Sequence, residues 1–177
     1  MEAEMNNKKE NLQAAIDYVK TFYKEVSQMV ADTIELMGEK EWKPVETESF
    51  GDMSYALDNP NKWMCSYVYK NFKNEKIEGY TLGILVFFDE DKNNKFPMSI
   101  VCSKVNVDHK EYNKWNIFYF WEDNINELKE LTGDIKDAKG NENKNRGFTG
   151  RIFSLPLTDI KSKEDLRIKV VNKLLEL

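Results

Sequence analysis

The chain has 177 residues, 41% of them hydrophobic and 12% aromatic, which suits the core of one ordinary domain spanning 1–177. Acidic residues outnumber basic ones by 31 to 26, for a net charge of -5, and only three of the basic residues are Arg (Arg146, Arg151 and Arg167). That balance argues against a protein whose affinity rests on neutralising phosphates or anionic lipid, and the shortage of Arg removes the usual bidentate reader of phosphates and base edges.

Residues 1–7 are acidic and amide-rich, with no basic segment leading into an apolar run, so a disordered lead-in is expected and a secretory signal is not. From Lys8 to Met37 apolar residues recur at three- and four-residue steps, among them Leu12, Ile16, Val19, Val26, Val30 and Met37. The spacing predicts one long amphipathic helix ending near Gly38. Eight turns exceed the usual three or four, so the helix either crosses the whole domain or has part of its stripe covered by another chain.

Glu41 to Asn61 contains Pro44, Gly51 and Pro60 and no sustained period, and reads as a long connection with one short strand. Over Trp63 to Phe72 two templates compete. Asn59 as N-cap and Pro60 at the first position favour a helix, whereas the aromatic and β-branched content favours a strand. The start signal tips the reading to helix.

Tyr80 to Phe88 and Met98 to Val107, joined by a polar loop, predict an antiparallel hairpin. Trp115 to Trp121 predicts a further strand and Ile125 to Leu131 a short helix. Residues 132–147 are rich in charge and glycine and are expected to be a mobile loop. Phe148 to Leu157 predicts another strand, placed on an edge by Pro156. A closing helix follows, with Ser162 as N-cap, Asp165 at the capping-box position, and Leu166, Val170, Val171, Leu174 and Leu175 on its apolar face. The sum is an α+β fold: an antiparallel sheet of four to five strands with a long N-terminal and a shorter C-terminal helix packed on one face.

Strand alternation points to a surface. In Tyr80 to Phe88 and in Trp115 to Trp121 both faces are largely apolar, so each needs cover. Two terminal helices cover one face, and the other must be wrapped by the 41–61 connection, meet another subunit, or form a concave ligand site. Trp63, Tyr67, Trp115, Tyr119 and Trp121 are the candidate ligand-binding residues, because each couples a large ring to one polar atom. Arg146 and Arg151, flanking two glycines, are candidates for an anion site.

Chemistry is harder to find. The single His109 sits in a charged turn, and Cys65 and Cys102 lie 37 positions apart in apolar surroundings without the spacing of a metal site, so neither a catalytic dyad nor a metal centre is expected. Asp89 to Asn93 begins like a calcium loop but has Asn94 where Gly belongs and Ile100 where a bidentate Glu belongs. The expectation is therefore a cytoplasmic protein with no cofactor and no membrane segment. It reads as a non-catalytic binding or protein-interaction module that uses the aromatic sheet face or the helical stripe to meet a small molecule or protein. Two alternatives are a structural homodimer and a metal-assisted hydrolase or nuclease with ligands from Asp52, Asp58, Asp89 and Asp91.

Overall fold

The apolar stripe of the N-terminal segment is wound into one helix, α1 (Glu2–Gly38), so residues 2–7 are helical where a disordered lead-in is expected. The computed structural model describes residues 2–45, 50–51, 65, 67–87, 98–107, 120–121, 123–124, 128, 133–140 and 148–177. Past Gly38 the chain reverses on Glu41, which takes a left-handed φ of 64°, and the Trp42 amide returns to donate to the Met37 carbonyl at 3.0 Å.

The strands are β1 (Lys43–Pro44), β2 (Phe50–Gly51), β3 (Tyr67–Lys73), β4 (Thr81–Phe87), β5 (Ser99–Val105), β6 (Lys136–Lys139) and β7 (Thr149–Pro156). They form one sheet in the order β1-β3-β4-β5-β7-β6, with β2 also pairing with β3, and every pairing is antiparallel. The sheet thus has six positions, against the four to five expected. The excess is at the edges: β1 is two residues long, and β6 lies inside the segment 132–147 expected to be a loop. A short, charged edge strand whose only apolar residue is Ala138 has no alternation to read, and charge is how edges resist pairing with other chains.

Three further expectations are corrected. The segment read as a helix from Trp63 to Phe72 is strand β3 over Tyr67–Lys73. Its Tyr67 and Tyr69 are buried on one face and Val68 and Phe72 on the other, so two-sided burial outweighs the helix start signal at 59–60, which lies outside the described residues. Phe120 and Trp121, read as the end of a strand, are helical, while 108–119 lie outside the described residues. Strand β7 lies between β5 and β6, not on an edge, although β6 pairs only with Thr149 to Ile152 and stops short of Pro156.

After a single turn of tighter helix at Leu157–Asp159, the chain ends in α2, a continuous helical run. It is α-helical over Lys163–Asp165, wound more widely as π-helix over Leu166–Asn172, and α-helical again over Lys173–Glu176. Its start is the predicted one: the Asp165 amide donates to the Ser162 hydroxyl at 3.1 Å, and the Asp165 carboxylate accepts from the Lys161 amide.

Both helices pack on one face of the sheet, as expected. Val30 and Met37 from α1 and Val170 and Leu174 from α2 meet Ile84 and Phe153 in a buried core, where each large apolar side chain contributes about 1.5–3 kcal/mol. Cys102 lies in the same core, and burial pushes its thiol well above its ordinary pKa, which leaves it a small unreactive hydrophobe.

Charged side chains join the two helices at their outer rim. Lys163 reaches Glu35 at 2.7 Å, and the Arg167 guanidinium holds the Glu39 carboxylate through contacts of 2.7 and 3.4 Å. The Arg167 hydrogen bond holds the Glu39 carboxyl below the usual carboxylate range, and the Lys169 hydrogen bond, followed by those of Lys161 and Ser162, does the same for Asp165. A depressed carboxylate stabilises the folded state fully above its unfolded pKa and loses that contribution as pH falls through the folded value. Stability should therefore drop as pH falls below about 4. Melting curves from pH 7 to 3 should show a shallower decline for a Glu39→Gln/Asp165→Asn variant than for the natural chain, and equal slopes would contradict these roles.

Candidate functional site

The first of three surfaces is the sheet face away from the helices. Tyr69, Leu85 and Val101 form one row across it, and Asn71, Gly83, Ser103 and Ile152 the next. The Trp121 indole lies over these rows. Its Nε1 donates to the Ser103 hydroxyl at 2.7 Å, and its ring meets Tyr69 edge-on with centroids 6.1 Å apart. Gly83 makes room for this ring: a Cβ there would sit 2.7 Å from Trp121 Cζ2 and 2.5 Å from Asn71 Oδ1. Phe120 fills the neighbouring place over Gly150, where a Cβ would meet the Lys104 carbonyl oxygen at 2.2 Å. Asn124 ties this short helical piece down by donating to the Phe120 and Lys139 carbonyls.

On the second face Phe120, Trp121 and Leu128 of the chain itself thus pack over the sheet, a cover the sequence reading did not assign. Of the candidate ligand-binding residues, Tyr67 is 6% exposed and Trp121 1%, so neither has surface to offer a ligand. Trp63, Trp115 and Tyr119 lie outside the described residues, as do His109, Arg146 and the carboxylates Asp52, Asp58, Asp89 and Asp91. Among the described residues no group of three or more His, Cys, Asp or Glu converges as a metal site would require. No helix among them is long and apolar enough to cross a membrane.

The second surface is the first half of α1. From Phe22 onward its stripe is packed against the sheet and α2, whereas residues 8–21 are exposed apart from the half-buried Val19. Leu12 is 64% exposed, Ile16 41% and Tyr18 70%. Leu12 and Ile16 continue the same three- and four-residue spacing that places Val26, Val30 and Met37 in the core, so one apolar stripe is half buried and half bare, while Tyr18 stands off to its side. Where the stripe enters the domain it borders a groove of about 500 Å³, floored by Phe22, Val26, Met29, Leu157 and Ile160 and rimmed by Glu25. Nearby, the Tyr23 hydroxyl donates to the Cys65 carbonyl at 3.1 Å, anchoring the helix at its point of exit. The excess length of the predicted helix signalled this surface, but its sequence did not say which half would be uncovered.

The third surface is a cleft of about 620 Å³ at the end of the sheet where β5, β7 and β6 meet. Antiparallel register puts Lys104 directly across from Arg151, and Arg151 across from Asp137. Arg151 Nη1 donates to the Leu177 carbonyl at 2.8 Å, a cation at the end of α2, where helix carbonyls are short of donors. Its Nε stands 3.9 Å from the Asp137 carboxylate. Lys104 lies over the Tyr80 ring at 4.1 Å, and Lys139 completes the cationic lining. Residues 104, 139 and 151 are far apart in the chain, and only strand register brings them together. Arg151 is accordingly the one anion candidate whose surroundings are described.

The chain matches no protein-family model, no curated protein and no solved structure.

Proposed function

We propose that this protein is a non-catalytic interaction module, set in the cytoplasm, that associates through the projecting half of α1, with a second copy of itself as the partner. The observation that carries the reading is the bare pair Leu12 and Ile16 on a stripe whose continuation along the helix is core. Leu12 and Ile16 are one turn apart, and each would gain about 1.5–3 kcal/mol on full burial against a partner.

The stripe is suited to meeting itself in the antiparallel sense. With a two-fold axis between Ala15 and Ile16, small Ala15 faces large Ile16 of the partner copy and Leu12 faces Val19, so bulk meets space on both sides. The exposed segment 8–21 carries Lys8, Lys9 and Lys20 against Glu10 and Asp17, so no strong field of one sign opposes the approach. Fourteen residues of helix run about 21 Å, which lets the tip of each helix reach toward the groove beside Phe22 and Met29 of the other. The aromatic sheet face contributes core packing instead of recognition in this reading.

Sedimentation equilibrium over a wide concentration range tests it. A reversible monomer–dimer equilibrium with a midpoint at about 1–100 μM is expected for an interface of this modest size. A species that stays monomeric to millimolar concentration would contradict self-association.

A further inference from the structure

We infer that the exposed half of α1 is a folding switch worked by self-association: residues 8–21 hold their helix when a second copy is paired with them and fray when the chain is alone. The switch rests on the self-association proposed above and adds what pairing does to the chain. The helix as it stands, Glu2–Gly38, is the form competent to pair. Its two halves are held by different means. From Phe22 on, tertiary packing fixes it: Val26, Val30, Leu36 and Met37 are buried, Phe22 and Tyr23 meet edge-on with centroids 5.9 Å apart, and the Tyr23 hydroxyl donates to the Cys65 carbonyl. Over 8–21, Val19 is half-buried and every other residue is exposed. Most helical stability in proteins comes from packing an amphipathic face, and this half of the helix lacks that support among the described residues.

Local forces do not replace it. Of the six residues that join the exposed half to the packed one, Ile16 to Thr21, five are weak helix formers: Ile16, Asp17, Tyr18, Val19 and Thr21. Branching at Cβ costs Ile16, Val19 and Thr21 rotamer freedom against the preceding turn, and short polar side chains such as Asp17 and Asn11 favour competing local turns. The Gln13 amide donates to the Asp17 carboxylate at 3.0 Å, and Lys20 stands 3.9 Å from the same group, but exposed contacts of this kind add little. The packed half spares the exposed half the cost of nucleation. Its helix is therefore an equilibrium, which burial of Leu12 and Ile16 against a partner completes. Ordering the segment offsets part of the pairing free energy and keeps the association reversible.

Ala14→Gly tests the switch. Ala14 is exposed and lies two residues from both Leu12 and Ile16, on the opposite side of the helix, so the substitution leaves the pairing surface intact while lowering helix propensity sharply. Each chain must wind residues 8–21 in order to pair, so the penalty enters twice per dimer. Sedimentation equilibrium should show the dissociation constant raised about tenfold or more. Constants equal within about twofold would mean a helix already formed in the single chain, and would overturn the switch while leaving self-association standing. Amide exchange gives a second readout. Below the midpoint concentration, amides 12–21 should be protected less than about tenfold, with protection growing as the dimer fraction grows, while those of Val30 to Met37 stay protected throughout. Protection over 12–21 that does not change with concentration would also overturn the switch. A natural chain that never dimerises contradicts self-association itself, and the switch with it.

Discussion

Replacing Trp121 with Ala is expected to destabilise the protein by about 4 kcal/mol and to lower its Tm by about 8–16 °C. The ring is fully buried, meets Tyr69 edge-on, and gives its only polar hydrogen to Ser103. Truncation therefore removes the apolar area, opens a cavity over Gly83, and leaves the Ser103 hydroxyl without its donor in a buried place. Trp121→Phe should recover part of the packing but not the hydrogen bond, and should fall between the two. Urea unfolding with an unchanged m-value would confirm that the loss is one of stability. A loss under about 1 kcal/mol for the Ala variant would mean that this ring does not close the second sheet face.

Gly83→Ala is expected to cost about 3 kcal/mol, in the opposite way, by overfilling. A Cβ at this position would stand 2.5 Å from Asn71 Oδ1 and 2.7 Å from Trp121 Cζ2, closer than such atoms approach, so β3 or the Trp121 ring must give. Backbone freedom is not the issue here: Gly83 pairs regularly with Asn71 and Ser103 in mid-strand. Because Trp121 is one of the two blocking groups, the substitutions at 83 and 121 should be coupled. In a Trp121→Ala background the cost of Gly83→Ala should shrink by at least about 0.5 kcal/mol, as expected for residues in contact. Strict additivity in urea midpoints would show that the close approach of Trp121 to β4 is not as described.

These two residues also show how far the sequence could be read. The alternation in β4 placed Leu82, Ile84 and Val86 on one face and Thr81, Gly83, Leu85 and Phe87 on the other, and the burial of both faces followed from their apolar character. The Ser162 and Asp165 start of α2 was equally legible, because a cap is a local arrangement of side chain and backbone. What covers the second face was not legible. Trp121 fits a strand template by its neighbours and is helical in fact, because burial of Phe120 and Trp121 together against Gly150 and Gly83 outweighs local propensity.

The segment 67–73 failed for the same reason in reverse. Its helix start signal was local and its strand pairing with β4 was not. Among site residues, Arg151 was singled out for its glycine neighbours, yet its setting depends on Lys104 and Lys139, which join it only through antiparallel register. Leu12 and Ile16 were read as part of an apolar stripe, but spacing alone gives every turn of a helix equal claim to the core.

The central claim is that the bare half of α1 exists to pair with itself, and a Leu12→Asp/Ile16→Asp variant compared with the natural chain by light scattering tests it most directly. Both residues are too exposed in the single chain to support its core, so the variant should keep the natural melting temperature extrapolated to low concentration. Across the range where the natural chain goes from monomer to dimer, the variant should remain monomeric, its dissociation constant raised at least about 100-fold by two buried charges. A natural chain that is monomeric throughout, or a variant that dimerises as well as the natural chain, would contradict the account.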